Sequence, residues 1–526
     1  MAWPKLKQYL ENSWYRWASQ DRQTWYAAQY QYWYWVNTRD MKNWVCLAWW
    51  QTDVVKNKTK PFTYFTYQNN LFYVDSNWII YDEDWVQKCN TWVTHTVAPN
   101  GIEFWNMIYI VWTGWVIRVD GTRTATDITS YFPKYPTSSS PQYRWNGWCV
   151  LNYANTFLLI WDLNVVWKMD VATWTEVFTG IRYFESSYNV YWLTQEWNYL
   201  KIYTSNWINT KIHYAKGTFD VEYTWLVQTV SFKWLALNYW DVASDQWYDY
   251  AIFTVKSWEY KLAKISWYSK VDIRWTQTYW TQKIFTADNP NIKSADWVLF
   301  AAMWDWIRTF IEYNGWLWWW CCEFPLASDE TVLNMFKYQE YLYACVYNST
   351  TQKYIERYYD MSFHPATYQN SWYIIGRVFD WWCAWLFKKN DQATITYNMP
   401  EWTSMELRYR YDRSSFEYDK SNFLPIKTLT DATNCYDIVV PTTPSIKDEW
   451  LLILEDNLNN DLILLEDWNW IQLEDLLICP FNKTWNLLEY RFDFAGDSDL
   501  VDTPSTKTPI LFEHSLTYYD YMRKYR

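Results

Sequence analysis

With 526 residues, half of them hydrophobic, the chain has material for two to four domains or for one large β architecture with additions. A net charge of −12 and the lack of any Lys/Arg stripe argue against binding nucleic acid by phosphate neutralisation. No apolar run reaches the roughly eighteen residues of a membrane span, the opening MAWPKLKQYLENSW lacks the apolar core of a secretory signal, and the nine Cys form no CxxC pair. The expectation is a soluble protein made in a cytoplasm, without membrane insertion, disulfide scaffold or zinc site.

Residues 1–60 are polar and rich in Tyr and Gln, and read as an N-terminal arm that packs on the body or on a neighbouring subunit. In NNLFYVDSNWIIYDEDWV, residues 69–86, the β-branched and aromatic runs Leu71 to Val74 and Ile79 to Tyr81 predict two short strands. The turns that bound them, SNW and DEDW, put Trp where a hairpin wants Gly, because a tight turn needs φ > 0.

From 61 to 400 a theme recurs: an aromatic-rich strand, a turn, a second strand, a polar loop. Its phrases begin at Phe62, Ile102, Cys149, Leu200, Tyr248, Trp297 and Tyr341. Their spacing of roughly 30 to 55 residues implies propeller blades or solenoid coils. Short strands with dense turns, and the need to protect strand edges, favour a β-propeller of about six to eight blades. The Pro- and Ser-rich YFPKYPTSSSP at 131–141 is then an inter-blade loop.

From 401 to 526 the texture changes. MELRYRYDRSSFEYDKSNFLPIKTLT alternates as paired strands do, and the segment after Trp485 supplies further strands with a proline-marked crossing, so the two read as one β-sandwich. Between them a Leu-Glu-Asp repeat at 454–456, 465–467 and 473–475 predicts a hairpin insert over 450–480. The fold class expected is all-β: a β-propeller-like repeat domain followed by a C-terminal β-sandwich.

The Trp-for-Gly pattern continues at Asn43-Trp44, Asn206-Trp207, Asp296-Trp297, Asp305-Trp306, Asp467-Trp468 and Asn469-Trp470, and Trp112 and Trp115 stand in turn-like places beside Asp120-Gly121. Ordinary usage would give roughly 37 Gly, whereas the chain has 9 Gly and 47 Trp. The codon UGA means Trp in one variant code and Gly in another, so many of these Trp read as recoded Gly. The alternative is that the indoles are real, as core residues or as a sugar-stacking surface.

No catalytic signature emerges. There is no GxSxG, and His95, His213, His364 and His514 lie far apart. Asp82 with Asp84 and Asp329 with Glu330 are carboxylate pairs that a glycosidase needs in one cleft, and the adjacent Cys321 and Cys322 read as buried thiols. No catalytic, cofactor-binding or metal-binding residue is assigned, and a non-enzyme without cofactor is expected.

Residues 102–138, IEFWNMIYIVWTGWVIRVDGTRTATDITSYFPKYPTS, resemble a strand-turn-strand phrase of β-propeller structural proteins of tailed bacteriophages. The terminal NLLEYRFDFAGDSDLVDTPSTKTPILFEHSLTYYDY resembles their closing β-sandwich phrase, and the Leu-Glu-Asp repeat is similar to repeats in phage tail and baseplate proteins. The resemblance implies a virion component of the neck, tail or adhesion apparatus, assembled with other virion proteins as a homo-oligomeric ring or spike. Viruses of recoded hosts must use the host code, which joins this resemblance to the Trp anomaly. A rival expectation is a propeller that binds a host surface glycan through exposed clusters such as Trp316 to Trp320; a propeller glycosidase is the third.

Overall fold

The computed structural model describes most of 44–129, 150–216, 225–276, 291–376, 387–430, 435–439 and 484–521, together with short strands within 5–11, 17–18, 31–41, 462–464 and 470–472. Every named element is a strand, and the fold class is all-β, as the runs of β-branched and aromatic residues predict. Seven four-stranded antiparallel sheets follow along the chain, at 62–90, 100–127, 150–183, 189–232, 242–276, 291–325 and 330–360, the last completed by Gln51–Lys58. They are the blades of a β-propeller, numbered 1 to 7 below, and each recurring phrase of the sequence supplies the hairpins of one blade.

Neighbouring blades bury their faces on each other. Phe65, Val74 and Ile80 of blade 1 meet Ile108, Ile110 and Ile117 of blade 2, and Leu159, Trp161 and Val166 of blade 3 meet Val190, Leu200 and Ile202 of blade 4. Because both faces of a blade are covered, its inner strands read as continuous apolar runs such as IYIVW and FLLIW rather than alternating.

The first strands of the blades stand around a central channel, and their polar side chains stitch one blade to the next. Asn291 of blade 6 donates from Nδ2 to the Leu333 carbonyl of blade 7 at 2.9 Å. Asn334 of blade 7 donates to the Phe62 carbonyl of blade 1 at 2.8 Å, and Thr63 of blade 1 donates to the Pro99 carbonyl at the entry to blade 2. The ring closes where Gln51–Lys58 pairs antiparallel with Lys353–Asp360, Arg357 standing opposite Asp53 and Glu356 opposite Val55.

The second unit is a two-sheet sandwich. One sheet has five strands, in the order Leu424–Thr430, Ser404–Tyr411, Leu488–Ala495, Ser371–Ile375 and Tyr34–Val36. The other has seven, centred on Phe387–Asn398 and Ile510–Tyr521. Met405, Leu407, Tyr409, Phe492 and Phe494 pack with Ile395, Leu511 and Leu516 in one buried cluster. The alternate residues carry charge: Glu406 stands opposite Asp493, Arg408 opposite Arg491 and Arg410 opposite Glu489.

These pairings depart from a division at 60 and 400. The described strands of 1–60 pack on the body by pairing into it: Lys5–Glu11 pairs with Ile510–Tyr521, Tyr34–Val36 joins Ser371–Ile375, and Gln51–Lys58 completes blade 7. The sandwich accordingly draws strands from 371 onward, before 401. Composition cannot reveal a strand whose partner lies hundreds of residues away. Of the Leu-Glu-Asp insert, Leu462–Leu464 pairs antiparallel with Trp470–Gln472; the repeats at 454–456, 465–467 and 473–475, and the 131–141 loop, lie outside the described residues.

Twelve non-glycine residues with positive φ stand among the described residues, and six are tryptophan: Trp78 at 56°, Trp85 at 60°, Trp92 at 63°, Trp105 at 52°, Trp234 at 64° and Trp402 at 69°. Trp78 and Trp85 end turns in which their own N–H donates to the Asp75 carbonyl at 2.8 Å and the Asp82 carbonyl at 2.9 Å. Trp105 and Asn106 are the two central residues of the hairpin turn between Phe104 and Met107, a turn that needs φ > 0 at both. Trp402 is the third residue of a turn in which Thr403 N–H donates to Pro400 O at 3.1 Å, the glycine position of a type II turn. A left-handed L residue costs about 1–2 kcal/mol, so six cost on the order of a whole domain's stability of roughly 5–15 kcal/mol.

Trp112 and Trp115 behave otherwise. They pair with each other, Trp112 as the last residue of one strand and Trp115 as the first of the next. Trp44, Trp306 and Trp470 also begin strands, while Trp207, Trp297 and Trp468 lie outside the described residues.

Candidate functional site

Two places concentrate polar chemistry. The first is the central channel, a cavity of about 480 Å³ whose lining includes Thr66, Gln195, Ser244, Asn291, Lys293 and Asn334. Lys293 lies with Nζ 5.5 Å from the Phe336 ring, and the described part of the wall is otherwise amide, hydroxyl and apolar.

The second is an aromatic wedge between blades 7 and 1. Glu356, only 2% exposed, points into it from the strand Lys353–Asp360, at a register shift in the pairing with Gln51–Lys58. Its carboxyl takes a hydrogen bond from Tyr73, while Oε2 has no partner. Burial outweighs that bond and the draw of the Trp85 indole N–H, and raises the carboxyl to about pKa 7. Trp85 covers it: its ring stacks on Tyr73 at 4.2 Å and meets Phe62 edge-on at 4.8 Å. Lys58 lies with Nζ 4.2 Å from the Trp85 ring and 4.9 Å from Tyr81, its pKa lowered because burial outweighs the pull of Asp75 and Glu356. Burial and the Glu356 charge likewise push the Tyr64 and Tyr343 hydroxyls upward. The arrangement holds a carboxyl that exchanges a proton near neutrality, sealed by rings.

The residues named from sequence are dispersed. Asp82 shapes its turn, accepting from Val86 N–H at 2.8 Å and pairing with Lys88, and lines with Asp84 an outer groove between blades 1 and 2. Glu330 binds Arg357, with Nη1 donating to Oε2 at 2.9 Å, and Asp329 gives its carbonyl to the Ser349 turn. The two pairs therefore serve turns and an ion pair in different blades. His213 is buried between Thr204 and Thr229, each 3.0 Å from one ring nitrogen. His514 is buried in the sandwich, its Nε2 3.1 Å from the Tyr409 hydroxyl, its Nδ1 without a partner, and its pKa driven down to about 3 by burial. His95 and His364, and the side chains of Cys321, Cys322 and Trp316 to Trp320, lie outside the described residues. Among the described residues no group of three or more His, Cys, Asp or Glu is arranged to hold a metal.

Sequence reasoning missed Glu356, the Arg357 clamp and a buried cluster in which Lys201 pairs with Asp249 at 3.0 Å while Tyr203 and Thr194 also donate to Asp249. The available signal was a charge inside an apolar run, as Lys201 in YLKIY and Glu356 with Arg357 in YIERYY.

No protein-family model matches the chain, and no curated protein matches it. Solved structures similar to it include BBS1N, seen in complex with ARL6DN, at 9% identity over 60% of this chain and 97% of that one, TM-score 0.39. The periplasmic gluconolactonase of Pseudomonas aeruginosa is similar at 10% identity over 51% of this chain and 86% of that one, TM-score 0.38. The Neurospora crassa Pan2 WD40 domain is similar at 7% identity over 58% of this chain and 90% of that one, TM-score 0.34. Likeness at this level carries no argument about activity or partners; the propeller rests on the sheets themselves.

Proposed function

We propose that the protein is a non-enzymatic, rigid assembly module of the neck, tail or adhesion apparatus of a tailed bacteriophage, translated where UGA means glycine. The observation that carries the assembly reading is the use made of the buried ionisable side chains. Arg357 with Asp53 and Glu330, Lys201 with Asp249, and Arg410 with Glu489 each tie together strands distant in sequence. Interleaving of the N-terminal strands into blade 7 and both sandwich sheets adds to the rigidity. Such a body presents flat faces to neighbours, and its partners are other virion proteins and further copies of itself. The phage origin draws on the resemblance of 102–138 and the terminal segment, and the recoding on the tryptophans at positive φ. The test is proteomics of purified particles from the source: the chain present in constant ratio to the capsid protein is expected, and its presence only in the host lysate overturns the reading.

A second reading, a glycan-binding propeller, is favoured by exposed indoles at Trp92 (86%) and Trp402 (76%). Glycan-array binding that disappears in Trp92→Ala and Trp402→Ala would put it first.

A further inference from the structure

We infer that positions 78, 85, 92, 105, 234 and 402 are glycine in the protein as its native ribosomes make it, and that Trp49 is a genuine tryptophan. The inference rests on the recoding part of the reading above and adds what recoding alone does not give, an assignment residue by residue.

Backbone geometry comes first. Tryptophan is 47 of the 526 residues, yet six of the twelve non-glycine residues with positive φ among the described residues. A solvated turn exerts no pull on an indole, whereas φ > 0 selects glycine directly. Of the other six, Asn69 and Asn106 are of the type that tolerates this conformation best.

Side-chain surroundings agree with the backbone. Trp78 has its indole N–H buried and without a hydrogen-bond partner, and the Trp85 indole N–H reaches only the buried carboxyl of Glu356. Trp92, Trp105, Trp234 and Trp402 are instead among the exposed large hydrophobics, projecting from separate turns. Exposure at turn tips and burial have nothing in common as packing roles; they share only the glycine backbone. Trp49 is the contrast. It is buried, its φ is not positive, its Nε1 donates to the Ser362 carbonyl at 3.2 Å, and it stacks with Phe324 at 6.3 Å.

The consequence for function is direct. Four of the five exposed tryptophans among the described residues are at these positions, the fifth being Trp115. With glycine there, the exposed indoles among the described residues reduce to Trp115 alone, and the aromatic cover over Glu356 opens.

The test is tandem mass spectrometry of the native protein, digested with trypsin, reading Thr59 to Lys88 for positions 78 and 85, Cys89 to Arg118 for 92 and 105, Trp234 to Lys256, Asn390 to Arg408, and Asn43 to Lys56 for Trp49. Glycine at the six positions with tryptophan at 49 is the result expected. Tryptophan at the six overturns both this assignment and the recoding. Glycine at 49 as well as at the six overturns the assignment by packing while leaving the recoding intact.

Discussion

Arg357 holds Asp53 through two hydrogen bonds, Nε to Oδ1 at 2.7 Å and Nη2 to Oδ2 at 3.0 Å, across 304 residues of sequence. The bidentate pair fixes the register of the strand that closes the ring, and Glu330 satisfies the rest of the guanidinium. Asp53→Asn removes the charge and leaves Arg357 leaning on Glu330 alone. A stability loss of about 1–3 kcal/mol is expected in urea unfolding, since one partner of a largely buried pair is lost but Asp53 is partly exposed. Lys211→Gln, which breaks the solvent-facing pair with Glu185, is the control and should cost less than about 0.5 kcal/mol. Equal effects in the two variants would show that the clamp does not close the ring.

Glu356 gives a pH dependence of definite sign. Its folded pKa of about 7 lies above the ordinary 4.5, so its stabilising contribution is complete below pH 4.5 and is lost as pH rises to about 7. Glu356→Gln does not titrate, and its stability relative to the parent should rise by on the order of 2–3 kcal/mol between pH 4.5 and pH 8. In a Trp85→Gly background, water reaches the carboxyl and the rise should shrink. Parallel stability curves for parent and Glu356→Gln would contradict the sealed wedge.

His514 gives the opposite slope. Its folded pKa of about 3 lies below the ordinary 6.5, so the contribution is complete above pH 6.5 and is lost as pH falls towards 3. His514→Phe keeps a flat ring against Tyr490 and Phe492, 5.0 and 5.2 Å away, and removes the hydrogen bond between the ring and the Tyr409 hydroxyl. It should cost about 1 kcal/mol at pH 7.5, and a Tyr near-ultraviolet dichroism titration should show the sandwich surviving to lower pH than the parent. A midpoint unchanged by the substitution would mean that His514 is protonated without cost.

What was legible in the sequence was whatever local chemistry decides. Asp75-Ser-Asn-Trp78 and Asp82-Glu-Asp-Trp85 announced turns with a left-handed fourth residue, and both hold φ near 60°. Met405, Leu407 and Tyr409 alternating with Glu406, Arg408 and Arg410 announced a half-buried strand, with the apolar set in the core. The closing strand was not legible, because QTDVVKNK is a polar edge segment whose meaning comes only from Arg357 and Glu356 opposite it. Glu356 was hidden for the same reason: its burial is made by Tyr73 and Trp85 of another blade.

The glycine positions can also be tested by stability alone. Trp92 and Trp402 are 86% and 76% exposed, so replacing them by Gly forfeits little packing and releases the left-handed strain. Each of Trp92→Gly and Trp402→Gly should stabilise the chain by about 1 kcal/mol. Trp115 is also exposed, at 40%, but it is extended at the start of a strand opposite Trp112. There Gly brings no relief and weakens the strand, so Trp115→Gly should destabilise by about 0.5–1 kcal/mol. Trp92 and Trp402 have positive φ and Trp115 does not, so opposite signs would trace the effect to the backbone. Losses of similar size in all three would mean that the indoles at 92 and 402 pay their own way, and would count against glycine at those turns.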